Sequence, residues 1–356
     1  MKIAYIVPAL VMKAPVLVVL NIASKMANDG HAVDIFYFDK NVELSIPENI
    51  NCKQLRFFNK IDFRKFDIVH SNMLRPDLYV FLFKPLFTTT KCISTIHNYV
   101  YEDLKNNYGI LYSIIFTLAW NIIWIRHDRL VVLSRHAVKY YRRILLNRRI
   151  RYIYNGISDI KYNDLLPLDY IMKIHEFKKG KKIIIGTYCV VGKIKNLKVA
   201  IKYLNSNLSC GFILIGDGLE KRNLIDYARK INVFNNCLFL PAVKNAHQLN
   251  KYIDVFIQTS KAEGFGLSLV EASLYTKNIV CSNIPIFREL FDETQVTYFD
   301  LNSDESFINA INISLLTSNY KPDNARCKTE KSYMLHNMYS NYLKLYNYLI
   351  DNKNIL

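Results

Sequence analysis

Short apolar runs rich in Ile, Val and Phe recur along the chain, and between most of them apolar residues return every three or four positions. In the first half the runs Lys2–Val7, Ala32–Phe38, Asp67–Ser71, Lys91–His97, Arg129–Ser134 and Arg151–Asn155 predict strands. A second series predicts strands at Lys182–Cys189, Gly211–Ile215, Cys237–Leu240, Asp254–Ser260, Asn278–Ser282 and Val296–Phe299. Between the first two strands Val16, Val19, Leu20, Ala23 and Met26 lie at helical spacing, and Gly30 is placed to end that helix. Strands apolar along their length, with helices between them, imply parallel sheets covered on both faces. Two such series predict two Rossmann-like α/β domains.

Periodicity fades between Gly156 and Lys182, where Lys178–Lys182 reads as a solvated linker. The expected division is a first Rossmann-like domain over 1–160, a linker over 161–181 and a second Rossmann-like domain over 182–330, with a last helix in 331–356. That helix carries Met334, Met338, Tyr342, Leu345 and Leu349 at helical spacing and is expected to pack back towards the first domain. Nine of the eleven glycines fall from Gly156 to Gly266, which assigns phosphate-binding turns, and hence the nucleotide, to the second half.

The run Gly109–Ile125 is almost wholly apolar, with Trp120 and Trp124 one helical turn apart. Its seventeen residues sit at the lower edge of a membrane span, and Asn121 lies inside it, so a buried or interfacial helix is expected. Directly after it, Arg126, Arg129, Arg135, Lys139, Arg142, Arg143, Arg148, Arg149 and Arg151 face the single acid Asp128. Tryptophans beside a basic segment suit an anionic lipid face, so 109–151 is read either as a membrane-surface segment or as a core helix followed by a solvated basic one.

Composition sharpens this picture. A chain of 356 residues with 51% apolar and 22% charged residues forms a large core and is not disordered. The net charge of +17 calls for an anionic partner. Nucleic acid is disfavoured, because no helix-turn-helix, zinc-knuckle or RNP-like pattern occurs and the basic stretch adjoins an apolar helix. Seven scattered cysteines, none in C-x-x-C spacing, suggest neither a disulfide framework nor a zinc site, and fit a reducing cytosol. Met1–Val7 is too short for a signal peptide and reads as a first buried strand.

The chemistry concentrates in Glu263-Gly-Phe-Gly-Leu-Ser-Leu-Val-Glu271, after the strand at Asp254–Ser260. Two carboxylates eight residues apart fall roughly on one side of a helix opening near Gly264, one before it and one on it. Gly264 and Gly266 allow close backbone approach, and the free N–H groups of a helix start favour a diphosphate, while carboxylates accept from sugar or ribose hydroxyls.

The chain resembles the retaining glycosyltransferases of family 4, with the GT-B fold of two Rossmann-like domains whose parallel sheets face a central cleft. The resemblance rests on Asp67–Asn72, Thr95–Asn98, Asp128–Ser134, Ile153–Ile157, Lys195-Asn196, Ile215-Gly-Asp-Gly218, Asp254–Ile257 and Glu263–Gly266 with Glu271, in the family's order and approximate spacing. It implies that Glu263 contacts the donor sugar, Glu271 the ribose, and the amides of Gly264, Phe265 and Gly266 the diphosphate and sugar. Lys195 would meet the phosphates, Asn196 and Gly216 would belong to the same donor site, and His97 would lie by the donor sugar across the cleft.

Two departures stand out. Val190 replaces an Arg that relatives carry five residues before the phosphate Lys, with Lys193 as a candidate substitute, and Ala9–Pro15 replaces a Gly-rich loop. Arg288 and Glu289 lie near the site in the family pattern and are read as a surface pair.

The resemblance therefore implies transfer of a hexose or N-acetylhexosamine from a nucleotide diphosphate sugar, expected to be UDP-linked, to a lipid-linked glycan in O-antigen or capsule biosynthesis. The absence of D-x-D removes the simplest metal motif, so no metal or other cofactor is expected. The expected location is cytoplasmic, peripheral on the inner face of the cell membrane. A catalytically degenerate GT-B binding subunit is the alternative, motivated by the two departures. An epimerase of the same fold is disfavoured by the two spaced glutamates.

Overall fold

The computed structural model describes residues 1–147, 149–158, 165–276, 278–316 and 321–351. Arg148 of the basic segment, 161–164 of the expected linker and 352–356 of the last helix lie outside the described residues. The chain divides into two compact units, one combining Met1–Ser158 with the chain from Met334 on, the other running from Asp159 to Tyr333.

The first unit is built on seven parallel strands, β1 (Lys2–Val7), β2 (Ala32–Tyr37), β3 (Asn51–Gln54), β4 (Ile68–Asn72), β5 (Lys91–Ile96), β6 (Arg129–Val132) and β7 (Ile150–Tyr152). Their spatial order is β3-β2-β1-β4-β5-β6-β7. The order reverses between β1 and β4, where a doubly wound sheet opens its ligand crevice at the strands' carboxyl ends. Strand β3 escapes the apolar pattern because it is a polar edge strand with one neighbour and no buried face.

Helices α1 (Ala14–Asn28), α2 (Leu74–Phe83), α3 (Val100–Tyr108), α4 (Ile110–Trp124) and α5 (Arg135–Ile144) connect these strands. Helix α1 has Pro15 in its first turn and buries Val16, Val18, Val19, Ile22, Ala23 and Met26, while Leu20, expected on the same face, is half-buried. The loop before it, which replaces a glycine-rich turn, is held by Met12 N–H donating to Glu43 Oε2 at 2.9 Å.

Helix α4 is not the core helix that one of the two sequence readings expected. It buries its polar residues Ser113, Thr117 and Asn121 with Ile123 and Trp124, and leaves much of its apolar surface exposed. The reason lies on α2. Asp77 is fully buried there and accepts from Ser71 Oγ at 2.6 Å, Ser94 Oγ at 2.9 Å and Trp124 Nε1 at 2.8 Å. A buried carboxylate must be hydrogen-bonded, and the indole that supplies one of those bonds fixes the rotation of α4 about its axis.

The second unit holds six parallel strands, β8 (Ile183–Tyr188), β9 (Cys210–Ile215), β10 (Cys237–Leu240), β11 (Val255–Gln258), β12 (Ile279–Ser282) and β13 (Thr297–Phe299), in the order β10-β9-β8-β11-β12-β13. Its helices are α6 (Leu168–Lys178), α7 (Lys198–Asn205), α8 (Lys221–Lys230), α9 (Leu267–Ala272), α10 (Pro285–Leu290), α11 (Asp304–Leu316) and α12 (Lys321–Ser332).

Helix α6 corrects the linker expectation over 161–181. It buries Tyr170 and Ile174 one turn apart, and Tyr170 donates to Pro241 O at 3.3 Å. The final helix α13 (Leu335–Asp351) belongs to the first unit and packs on α1. Its Tyr346 hydroxyl meets Nδ1 of the buried His70 at 2.7 Å, and Gly156 N–H donates to Met338 Sδ at 3.1 Å.

Candidate functional site

The order of the second sheet reverses between β8 and β11, which pair through Val255–Ile185 and Phe256–Gly186. The loops leaving these two strands carry Lys195 and Glu263. A crevice outside the carboxyl ends of adjacent, oppositely connected strands is where open α/β sheets bind ligands. Lys195 ends a short 3-10 turn, Lys193–Lys195, and Asn196 caps it in the left-handed region at φ 53°. That geometry suits Asn and turns the chain into α7.

Glu263 Oε1 accepts three bonds, from Lys195 Nζ at 2.5 Å, Ser260 Oγ at 2.6 Å and Gln258 Nε2 at 2.8 Å. Gln258 is oriented in turn by Ser268 Oγ, which donates to its Oε1 at 3.0 Å. Among the described residues no group donates to Oε2 of Glu263, which leaves that oxygen as an acceptor for a hydroxyl. Burial works against the Lys195 ammonium, but the neighbouring Glu263 charge and hydrogen bond, with Cys189, outweigh it and hold its pKa above the ordinary value. The lysine is therefore a permanent cation in a largely buried site.

The helix expected to open near Gly264 begins three residues later, at Leu267. Gly266 has φ +96° and cannot be helical, and a Cβ there would lie 2.7 Å from Phe287 Cε1, so only glycine fits. Glu263 thus sits in the loop and Glu271 on α9. The Phe265 side chain is in the core against Tyr333, with ring centroids 5.9 Å apart, which leaves its backbone as the part able to meet a ligand.

Burial raises the Glu271 carboxyl to about 7, and Tyr188 Oη lies 3.0 Å from its Oε2. Asn250 Nδ2 donates to that same phenol at 3.4 Å. Gln258, Ser260, Ser268, Tyr188 and Asn250 were not singled out from the sequence. The available signal was Gln258 itself, a polar residue ending the apolar strand β11.

Gly216 follows β9, and a Cβ at this position would lie 2.0 Å from Cys189 O in the loop after β8. The two loops touch backbone to backbone, which only glycine permits. Gly216→Ala is expected to cost about 1–3 kcal/mol of stability and to weaken UDP binding, because the loop leading to Lys195 must move. Thermal melting and UDP titration of the variant check this. An unchanged melting temperature and affinity would rule out the close approach as a constraint.

Val190, where an Arg was expected, is exposed, as is Lys193. Arg288 pairs with Glu293 at 2.7 Å and stacks on Tyr298, 3.8 Å from the ring centroid. In the first unit His97, directly after β5, donates from Nε2 to Asn72 Oδ1 at 3.0 Å, because an amide oxygen only accepts. Burial lowers the His97 pKa to about 4, which keeps the ring neutral at pH 7. Asn72 Nδ2 is buried without a partner, directly before Met73, whose φ is +75°.

Residues 16–159 match the family model described as Glycosyltransferase Family 4, and residues 171–331 the model described as Glycosyl transferases group 1. Over 317 residues the chain is 35% identical to the O-antigen biosynthesis glycosyltransferase WclY of Escherichia coli, covering 87% of this chain and 88% of that protein. Among solved structures it resembles Anabaena HepE in complex with UDP and glucose, with TM-score 0.79 at 15% identity over 97% of this chain and 99% of that one. Sucrose-phosphate synthase from Thermosynechococcus elongatus matches with TM-score 0.82 at 14% identity, over 99% and 100% of the two chains. These structural likenesses establish a shared two-unit, parallel-sheet architecture of GT-B type.

Proposed function

Since the chain belongs to the family 4 glycosyltransferases, we propose that it transfers a hexose or N-acetylhexosamine from a UDP-sugar to a lipid-linked glycan in O-antigen or capsule assembly, with retention and without a metal ion. The observation that carries this reading is the Lys195–Glu263 pair, held at 2.5 Å at the switch point of the second sheet and braced by Gln258 and Ser260. The role of WclY in O-antigen biosynthesis supports the O-antigen assignment, and the UDP complexes of HepE support the donor class.

Cleavage of a sugar–phosphate bond puts positive charge on the anomeric carbon and extra negative charge on the departing diphosphate. Fixed cations and N–H donors aimed at the phosphate lower that barrier. Lys195 supplies the cation and the amides of Gly264, Phe265 and Gly266 supply donors, with Asn196 and Gly216 shaping the loops around them. Glu263 accepts from a donor-sugar hydroxyl through Oε2, and Glu271 accepts from the ribose. His97, neutral with its proton on Nε2, offers Nδ1 as an acceptor to the donor sugar. The departing phosphate takes the proton of the acceptor hydroxyl on the same face, so Glu263 is not a nucleophile. The enzyme works from the cytoplasmic side, at the anionic inner face of the membrane.

Binding and hydrolysis of UDP-, GDP-, ADP- and dTDP-sugars, with and without EDTA, test this. Selective UDP-sugar binding with slow, EDTA-insensitive hydrolysis is expected. Binding of no donor would remove the reading, loss of activity with EDTA would remove metal independence, and binding without turnover on any acceptor would favour the degenerate subunit.

A further inference from the structure

Helix α4 carries its polarity inside out. A surface helix of a globular protein turns its apolar stripe inward, yet Leu111, Ile115, Leu118 and Ile122, spaced as one stripe, are 74%, 56%, 61% and 53% exposed. Ile110, Ile114 and Ile125 flank them and are exposed as well. The opposite side is committed to the protein. Trp124 is bonded to the buried Asp77, and Asn121 donates to Thr117 O at 3.0 Å while its Oδ1 accepts from Leu146 N–H at 3.1 Å. The apolar stripe cannot rotate inward without breaking those bonds.

Other exposed apolar residues gather beside this helix. Arg126, just past its end, donates to Phe81 O at 2.5 Å and to Lys84 O, and so ties the end of α2 to α4. Two and three residues beyond Lys84, Leu86 and Phe87 are among the most exposed apolar side chains of the chain, Phe87 at 91%. Leu146, whose N–H is held by Asn121, is also exposed. Contiguous apolar surface of this kind marks an interaction site.

We propose that the outer stripe of α4, with Leu86, Phe87 and Leu146 beside it, enters the headgroup and upper acyl region of an anionic bilayer, lying in the membrane plane. This gives a contact surface to the membrane partner of the function proposed above and rests on that reading only for its purpose. At 15 residues α4 is about 22 Å long, short of the ~30 Å hydrocarbon core. No helix among the described residues is long and apolar enough to cross a membrane. An in-plane helix needs a wide apolar face and cationic neighbours. Helix α5, packed against Trp124 through Tyr141, supplies exposed Arg142 and Arg143 at its C-terminal end. The one acid of that stretch, Asp128, is already paired with Lys84 at 2.7 Å. At the other end of α4 the exposed Tyr108 and Tyr112 rings lie with centroids 5.1 Å apart, amphipathic rings suited to headgroup depth. The acids of α3, Glu102 and Asp103, lie in its first turn, and Asp103 accepts from Asn98 at 2.9 Å. A second copy is a poorer occupant, because a two-fold contact brings like-charged α5 segments to one interface.

Vesicle flotation of the full chain tests the proposal, using vesicles of equimolar phosphatidylglycerol and phosphatidylethanolamine against pure phosphatidylcholine. The chain is expected to float with the anionic vesicles, and Leu111→Ser/Ile115→Ser/Leu118→Ser to reduce that partitioning more than tenfold. Because these side chains are exposed, the melting temperature and UDP binding should stay as in the wild type. Arg142→Gln/Arg143→Gln should weaken flotation with anionic vesicles and flatten its salt dependence. The proposal is overturned if the triple variant floats like the wild type, if the wild type floats with neither vesicle, or if the stripe substitutions only dissociate a dimer. A chain that floats but binds no nucleotide sugar would sink the transferase reading and leave this surface standing.

Discussion

Glu263→Gln is expected to lower kcat/KM for sugar transfer by about 10²-fold or more, equivalent to ~2.7 kcal/mol of transition-state stabilisation. The substitution changes more than one acceptor. Oε1 of Glu263 takes bonds from Lys195, Ser260 and Gln258, and replacing the carboxylate by an amide removes the charge that all three donors face. Lys195 then stays cationic and largely buried without its partner, and breaking one side of a buried pair costs far more than the pair contributes intact. Either it turns towards solvent or it binds diphosphate too tightly in the ground state.

Lys195→Met removes the opposite member and leaves an unpaired carboxylate. The two losses share one cause, so Lys195→Met/Glu263→Gln should cost about as much as the worse single substitution instead of their sum. Steady-state kinetics on the three variants decide it. Additive losses would mean that the residues act separately, and full activity in Glu263→Gln would remove this glutamate from the site. Gln258→Leu provides a finer reading: it leaves the charges in place but removes one brace and should lower kcat while leaving UDP affinity nearly unchanged.

The braces around Glu263 show where sequence reasoning stopped. The strands β8 and β11 were legible because Ile183–Ile185 and Val255–Ile257 are unbroken apolar runs, the usual composition of a strand buried on both faces. The two glutamates and the lysine were legible from spacing and resemblance. Gln258, Ser260 and Ser268 were not, since nothing local distinguishes a polar strand-end residue that orients a carboxylate from one that meets water. The start of α9 was misplaced because Gly264 and Gly266 look alike in sequence, and only Phe287 packed against Gly266 forces the left-handed turn there.

The rotation of α4 was equally hidden. A helix apolar nearly all round carries no moment from which to read its inward face. The decision is made by Asp77, 47 residues before Trp124. Similarly, α6 buries only two residues along its length, too few to outweigh its charged flank in a periodicity reading.

Asp77 also lies within a group of buried titratable residues that should make the first unit acid-labile. Burial lowers His70 and His127 to about 3 and His97 to about 4, against 6.5 for an exposed imidazole. His70 and His97 have only hydroxyl and amide partners, whereas Nε2 of His127 lies 3.8 Å from Asp77 Oδ1. His70 lies between the Tyr346 hydroxyl and Thr95 Oγ1, each at 2.7 Å, and Ser71 Oγ lies 3.1 Å from Nε2 of His127. Groups with depressed folded-state values stay neutral in the native protein while the unfolded chain takes up protons. Their stability contribution is present above pH 6.5 and is lost as pH falls towards 4 and then 3.

Asp77 works in the opposite sense. Burial raises its carboxyl from 3.8 to about 6, so acidification through pH 6 relieves a buried charge and returns part of the loss. At pH 5 the loss from three imidazoles outweighs the return from one carboxyl, and the net deficit relative to pH 7.5 is a sizeable part of the stability of an average domain. Both tryptophans of the chain, Trp120 and Trp124, are on α4, so indole fluorescence reports this unit and not the other. Denaturant unfolding followed by that signal should show a much lower midpoint at pH 5 than at pH 7.5, and His127→Gln should narrow that difference. Equal midpoints at the two pH values would mean that the imidazoles bind protons within the folded unit, and the neutral His97 assigned to the donor sugar would lose its basis.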